Sequence, residues 1–230
     1  MTVKNLISHV ELEPLFDTLM PAIIQESDRG AVLLGLSQID LQLTNLFKTL
    51  VPESISNNQR KDIFNVTGPF GGLSSKLHIA LVCRILPTNL VSSIHKLRKI
   101  RNIVAHQTET FDIKLYEVEF FEAYNQIGKN TRAGVIGMGL DMMIHSTLNK
   151  MLGVNSTSEP MFSNMAEAKA YLRNSSAIKG NLEAQVPKWY LATAVCLICG
   201  LILNHRDKIL DGVGPEDTLY KALKNVSKRA

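Results

Sequence analysis

Val32, Leu36, Ile39, Leu43, Leu46 and Leu50 recur at alternating spacings of four and three. At roughly 100° per residue these six side chains fall on one face of a helix, whereas a strand would send them to opposite faces. A helix of this length with a single apolar stripe is stable only when other helices cover it. Pro52 closes the run, because it lacks the N–H the helix would need. Composition agrees: aromatic residues make up 6% of the 230-residue chain, with 45% hydrophobic and 20% charged. That is enough for one substantial core or two small ones and lies outside the disordered class. The expected fold class is all-α, an antiparallel helical bundle.

Further helices follow from breaks in the pattern. A first helix is expected from Pro14 to Gln25. A polar loop with Ser54, Ser56, Asn57 and Asn58 comes after Pro52, and Thr67–Gly72 is a second break, since three glycines and a proline do not continue a helix. Ser74 or Ser75 is placed to cap a helix reaching Leu86, and Thr88 or Asn89 one running from Leu90 to Ala105. Helices are expected near Leu115–Ile127, Ala133–Met151, Ala166–Leu172 and Trp189–Leu203, with a Gly/Ser/Thr-rich loop at Gly153–Ser158. Gly128–Thr131 is the best internal boundary, dividing a core of residues 1–127 from a C-terminal helical extension, 128–230, on the same core or beside it.

Several classes are disfavoured. The stretch Trp189–Leu203 carries no charge but is shorter than the roughly 20 residues a membrane span needs, so a buried helix or a dimer interface is expected and no membrane. Three cysteines without the pattern of a small secreted domain point to reduced thiols in a cytoplasm. Cys196 and Cys199 have the spacing of a metal half-site, yet they sit in an apolar helix with no second ligand pair, which favours burial. No nucleophile elbow, paired carboxylates or dinucleotide fingerprint occurs, and no cofactor or metal is called for. The net charge of +4 permits a nucleic-acid partner without arguing for one.

Chemistry concentrates in Leu90–His106. Leu90, Ile94, Leu97 and Val104 share a face with Arg101 among them, and a cation in an apolar stripe needs a counter-ion. Asp40, beside the inward stripe of the Val32–Leu50 helix, is the expected partner, with Glu26 and Asp28 as further candidates. Asn102 and His106, four residues apart, share another face. An arginine, an amide and an imidazole together suit metal-independent attack of a ribose hydroxyl on its phosphate. A structural anchor and a helix-end cap are the preferred reading of the same residues, and an enzyme is the less expected one. Lys96, Arg98 and Lys99 are candidate contacts to a nucleic-acid backbone, or simply a solvated basic face. The helices flanking Pro87-Thr88-Asn89 have the outline of a helix-turn-helix, but the base-reading positions would be Leu90, Val91, Ser92 and Ser93, which is unconvincing. Gly68-Pro69-Phe70-Gly71-Gly72 lacks the ending of a nucleotide-binding loop and reads as a tight turn.

Four segments in order resemble the mannitol operon repressor family: Glu26-Ser-Asp-Arg29-Gly30, Asp40-Leu-Gln-Leu43, Gly68-Pro69-Phe70-Gly-Gly-Leu-Ser-Ser-Lys76, and Arg98-Lys-Ile-Arg101-Asn102-Ile-Val-Ala-His106. They cover residues 26–106, somewhat under half the chain. The last also resembles the arginine–polar–x–x–x–histidine signature of HEPN-type helical domains. The resemblance implies a HEPN-like core, a transcriptional regulator acting through DNA or a protein partner, and a homodimer. Its enzymatic branch implies a metal-independent ribonuclease, with His106 transferring protons, Arg101 stabilising phosphate and Asn102 orienting. A helical assembly module without chemistry is the third expectation.

Overall fold

The computed structural model describes residues 11–153 and 160–211, so the expected loop Gly153–Ser158 lies, beyond Gly153, outside the described residues. Those residues form nine α-helices and no strand, an all-α bundle. In chain order they are α1 (Leu12–Gln25), α2 (Asp28–Leu50), α3 (Asn57–Phe64), α4 (Leu73–Val82), α5 (Thr88–His106), α6 (Glu117–Ile127), α7 (Thr131–Met151), α8 (Met165–Asn174) and α9 (Ser176–Leu210). A 3₁₀ turn, Ile113–Tyr116, leads into α6.

The stripe on α2 organises the core. Val32, Leu36, Ile39, Leu43 and Leu46 are buried and Leu50 is half-buried. Helix α9 packs most extensively on α2, and also on α1 and α7, while α5 packs on α6, α2 and α4. One continuous apolar cluster therefore runs from Leu19 in α1 to Ile209 in α9. Gly35 of α2 lies close to Val195 of α9, and Gly139 of α7 close to Tyr190 and Thr193, so small residues set two of the close helix approaches.

Two elements differ from the sequence-based expectation. The polar stretch after Pro52 is a loop only as far as Ser56, where α3 begins. The Ser56 hydroxyl accepts from the Gln59 amide N–H, and the Gln59 side-chain oxygen accepts from the Ser56 N–H. This reciprocal capping supports a short helix that has no buried residue of its own. The late apolar helix is also longer than expected. It starts at Ser176, capped by Ser175, and runs through Pro187. Proline inside a helix forfeits one hydrogen bond, but Pro187 is buried and most of the apolar residues beyond it are buried too.

Residues 180–210 of α9 are long and apolar enough to cross a membrane by length and composition, with a mean hydropathy of 1.8. Most of that span is buried inside the protein, as a core helix is.

Candidate functional site

Helix α5 forms because its apolar residues recur at helical spacing, with Leu90, Ser93, Ile94, Leu97, Ile100 and Val104 all buried. Val91 is buried as well, so by angle Arg101 falls within the inward face, between Leu90 and Ile94, but it stands in the last turns of α5, where Ile103 and Ala105 are exposed too. Its side chain is exposed, and it does not pair with Asp40. The expected Arg101–Asp40 ion pair is replaced by another.

Asp40 instead accepts from the Lys76 ammonium at 2.7 Å, and Lys76 also donates to the Thr44 hydroxyl at 2.7 Å. Lys76 is 3% exposed, whereas the Asp40 side chain is 35% exposed. The sequence carried a signal for this lysine. Leu73, Lys76, Leu77 and Ala80 fall at helical spacing on α4, so Lys76 lies within an apolar stripe and needs a counter-ion.

The start of α2 is tied to the end of α5. Ser27 caps α2 by accepting from Gly30 N–H. Arg29 then donates to the carbonyls of Gln107 at 2.6 Å and Glu109 at 2.7 Å, just beyond the last turn of α5. Asp28 accepts from Ile113 N–H at 3.0 Å, holding the far side of the same connection. Glu26, the other candidate counter-ion, is exposed, and its backbone carbonyl accepts from Lys188. Asp40–Lys76 thus joins α2 to α4, and Arg29 joins the start of α2 to the chain just past the end of α5.

Opposite the buried side, α5 presents His95, Lys99, Asn102 and His106, four residues on one line, with Arg98 beside them. His106 and Lys99 are exposed; His95, Arg98 and Asn102 are half-buried. Helix α5 contains no acidic residue. The His78 ring of α4 lies 5.2 Å from that of His95. Burial, helped by Arg98, His78 and Lys99, pushes the His95 pKa down, so the charged neighbours named are all positive. Lys96 departs from this face: it bonds Glu122 of α6 at 2.8 Å, and that bond holds the Glu122 carboxyl below its usual range. Lys96 is therefore tied to α6, through a pair whose two side chains remain partly exposed.

Arg101 and His106 are about 140° apart around α5 at roughly 100° per residue. Both reach solvent, but they leave the helix on different flanks. The helix-turn-helix outline also fails in detail. Leu90 and Val91 are 2% and 1% exposed, and Ser93 is fully buried, so the positions that would read bases face the core.

Three amides of the glycine-rich turn are used internally and are not offered to a phosphate. Gly68 N–H donates to Asn65, Phe70 N–H to Ile63 and Gly71 N–H to Gly68. A Cβ on Gly68 would overlap the Asp62 carbonyl oxygen, and one on Gly71 that of Asn65, which is why glycine stands at both positions. The turn delivers Phe70 onto Phe47, with ring centroids 4.4 Å apart, and onto Phe64 at 5.4 Å. Cys196 and Cys199 are buried in α9. Burial pushes the Cys196 thiol up to about 12 and raises Cys199 as well, so both are inert protonated core residues.

Comparison of the chain with known protein families, with curated proteins and with solved structures finds no match.

Proposed function

We propose that this chain is a regulator of the mannitol operon repressor type, which works by binding a nucleic-acid backbone along α5 and performs no catalysis. The observation that carries this reading is the outer face of α5. His95, Arg98, Lys99, Asn102 and His106 lie together on a helix without a carboxylate, beside His78 from α4. Arg98 and Lys99 supply the positive charge of this face, with histidine and amide donors beside them, a combination suited to phosphate contact. The buried start of α5 argues for backbone contact over base reading. Free thiols at Cys83, Cys196 and Cys199 fit a reducing cytoplasm.

The test is anisotropy of a labelled duplex titrated at increasing salt, with wild type and an Arg98→Glu, Lys99→Glu double variant. Salt-sensitive binding that the variant loses supports the reading. Equal binding by both proteins, or none at low salt, overturns it, and a protein partner becomes the alternative.

A second reading, a metal-independent ribonuclease, rests on the exposure of both Arg101 and His106. Their divergence around α5 means that a catalytic pair would need a second copy of the chain to complete it. Incubation of mixed RNAs with chelator separates the two readings. Cleavage leaving cyclic phosphate ends, absent in His106→Ala, replaces the regulator with the nuclease; intact RNA in both retires it.

A further inference from the structure

Where α2 ends and α3 begins, an open groove of about 570 Å³ is lined by Lys48, Asn57, Arg60, Lys61, Phe64 and Asn65. Its volume is within the range of small-ligand clefts, roughly 300–1,000 Å³. Its chemistry is specific. Three of the six residues are cations, two are amides, one is aromatic and none is acidic. Among the described residues none of the three cations has a carboxylate partner, and Arg60 places one N–H on the Pro52 carbonyl at 3.5 Å. Like charges gathered without counter-ions repel one another, and an anion entering the groove relieves that repulsion.

The aromatic member is held still. Phe64 stacks on Phe70 at 5.4 Å, and Phe70 packs on Phe47, which is buried. The glycine turn behind Phe70 is fixed by its own hydrogen bonds. The Lys48 ammonium sits 5.9 Å from the Phe64 ring centre. A fixed ring with one flexible, exposed lysine over it and two more cations beside it can take a base on the ring once that ammonium swings to the phosphate. Inorganic phosphate would leave Phe64 unused, and an apolar ligand would strand the three charges.

We infer that this groove binds a nucleotide unit, with its base against Phe64 and its phosphate among Lys48, Arg60 and Lys61. The unit comes either from a free nucleotide or from a single strand. This site is separate from the α5 face and does not rest on the function proposed for it.

The experiment uses the full chain. A fluorescein-labelled oligothymidylate is followed by anisotropy, and ATP and inorganic phosphate are titrated separately by calorimetry. Binding of the strand or of ATP, weakened about tenfold by Lys61→Glu and by Phe64→Leu but not by Arg98→Glu, supports the inference. Strand binding without ATP binding assigns the source as single-stranded nucleic acid, and tight ATP binding assigns it as free nucleotide. Phe64→Leu also touches the Phe70 stack, so its circular dichroism is compared with wild type. If it misfolds, Lys61→Glu and Lys48→Glu, which alter exposed side chains, decide. No binding at millimolar ATP and micromolar strand overturns the inference. So does binding that these variants leave unchanged, or inorganic phosphate binding as tightly as ATP.

Discussion

The Asp40–Lys76 pair is asymmetric, and the asymmetry predicts which half can be removed. Lys76 is 3% exposed and Asp40 35%. Replacing Asp40 by Leu strands a buried ammonium whose remaining bond is to the Thr44 hydroxyl. Breaking a buried pair from one side costs about 3–5 kcal/mol, and Thr44 places this case at the lower end, about 3 kcal/mol. At about 2–4 °C per kcal/mol for a chain of this size, Tm falls by roughly 6–12 °C. Replacing Lys76 by Met keeps the length of the stem and leaves Asp40 able to hydrate, so the expected loss is within about 1 kcal/mol. The Asp40→Leu, Lys76→Met double variant removes the stranded charge and should recover most of the loss. Urea unfolding of the four proteins at unchanged m-value reads all three numbers. The reasoning fails if Lys76→Met is as destabilising as Asp40→Leu and the double variant is no better than either.

Two further outcomes follow from the same geometry. Gly71→Ala forces its Cβ into the Asn65 carbonyl, which is backbone and cannot swing away, so a loss of about 2 kcal/mol is expected, read as a lower urea midpoint. A midpoint equal to wild type would show that the turn is looser than its packing implies. His205 of α9 is pushed down to about 4, by burial first and by Lys208 second. Because its folded value lies below the unfolded 6.5, its contribution is fully present above about pH 6.5 and is lost as pH falls toward 4. That is about 3 kcal/mol at most. His205→Asn should flatten the stability profile between those limits relative to wild type, and a profile of unchanged slope refutes the assignment.

The helical stripe of α2 was legible because a spacing of three and four admits one secondary structure, and its breaks at Pro52 and Thr67–Gly72 hold in the structure. The elements that misled are those in which a local device outweighs composition. Ser56 and Gln59 cap one another and make a helix of a polar stretch, and Pro187 is carried inside α9 because the packing beyond it is extensive. At the candidate site, the spacing places Arg101 within the inward face of α5, but cover over the last turns lapses, as exposed Ile103 and Ala105 show, and spacing alone carries no sign of that. Ser-Ser-Lys at a helix start looks like surface, although the spacing of Lys76 with Leu73, Leu77 and Ala80 marks it as inward. The Phe64 groove has no motif at all. Its residues gather where Phe70, delivered by the glycine turn, touches both Phe64 of α3 and Phe47 of α2.

Arg29 is where fold and proposed function meet, and a variant there tests how they are connected. Its two bonds hold the carbonyls of Gln107 and Glu109, immediately after His106, and so fix how the C-terminal end of α5 is presented. Hydrogen bonds from a charged donor are worth about 1.5–3 kcal/mol each, and partial exposure reduces both. Arg29→Ala should therefore cost about 2 kcal/mol in all, with the urea midpoint falling accordingly. Ile100 and Val104 keep the body of α5 anchored, so the loss should be confined to the connection, with hydrogen exchange accelerating over residues 107–113 and staying slow at Leu97. If the α5 face binds phosphate as a preformed surface, loosening its end should also weaken duplex binding, even though Arg29 lies outside that face. Unchanged binding alongside faster exchange would mean that Arg98 and Lys99 act without the His106 end. The bound phosphates would then have to lie along the middle of the helix.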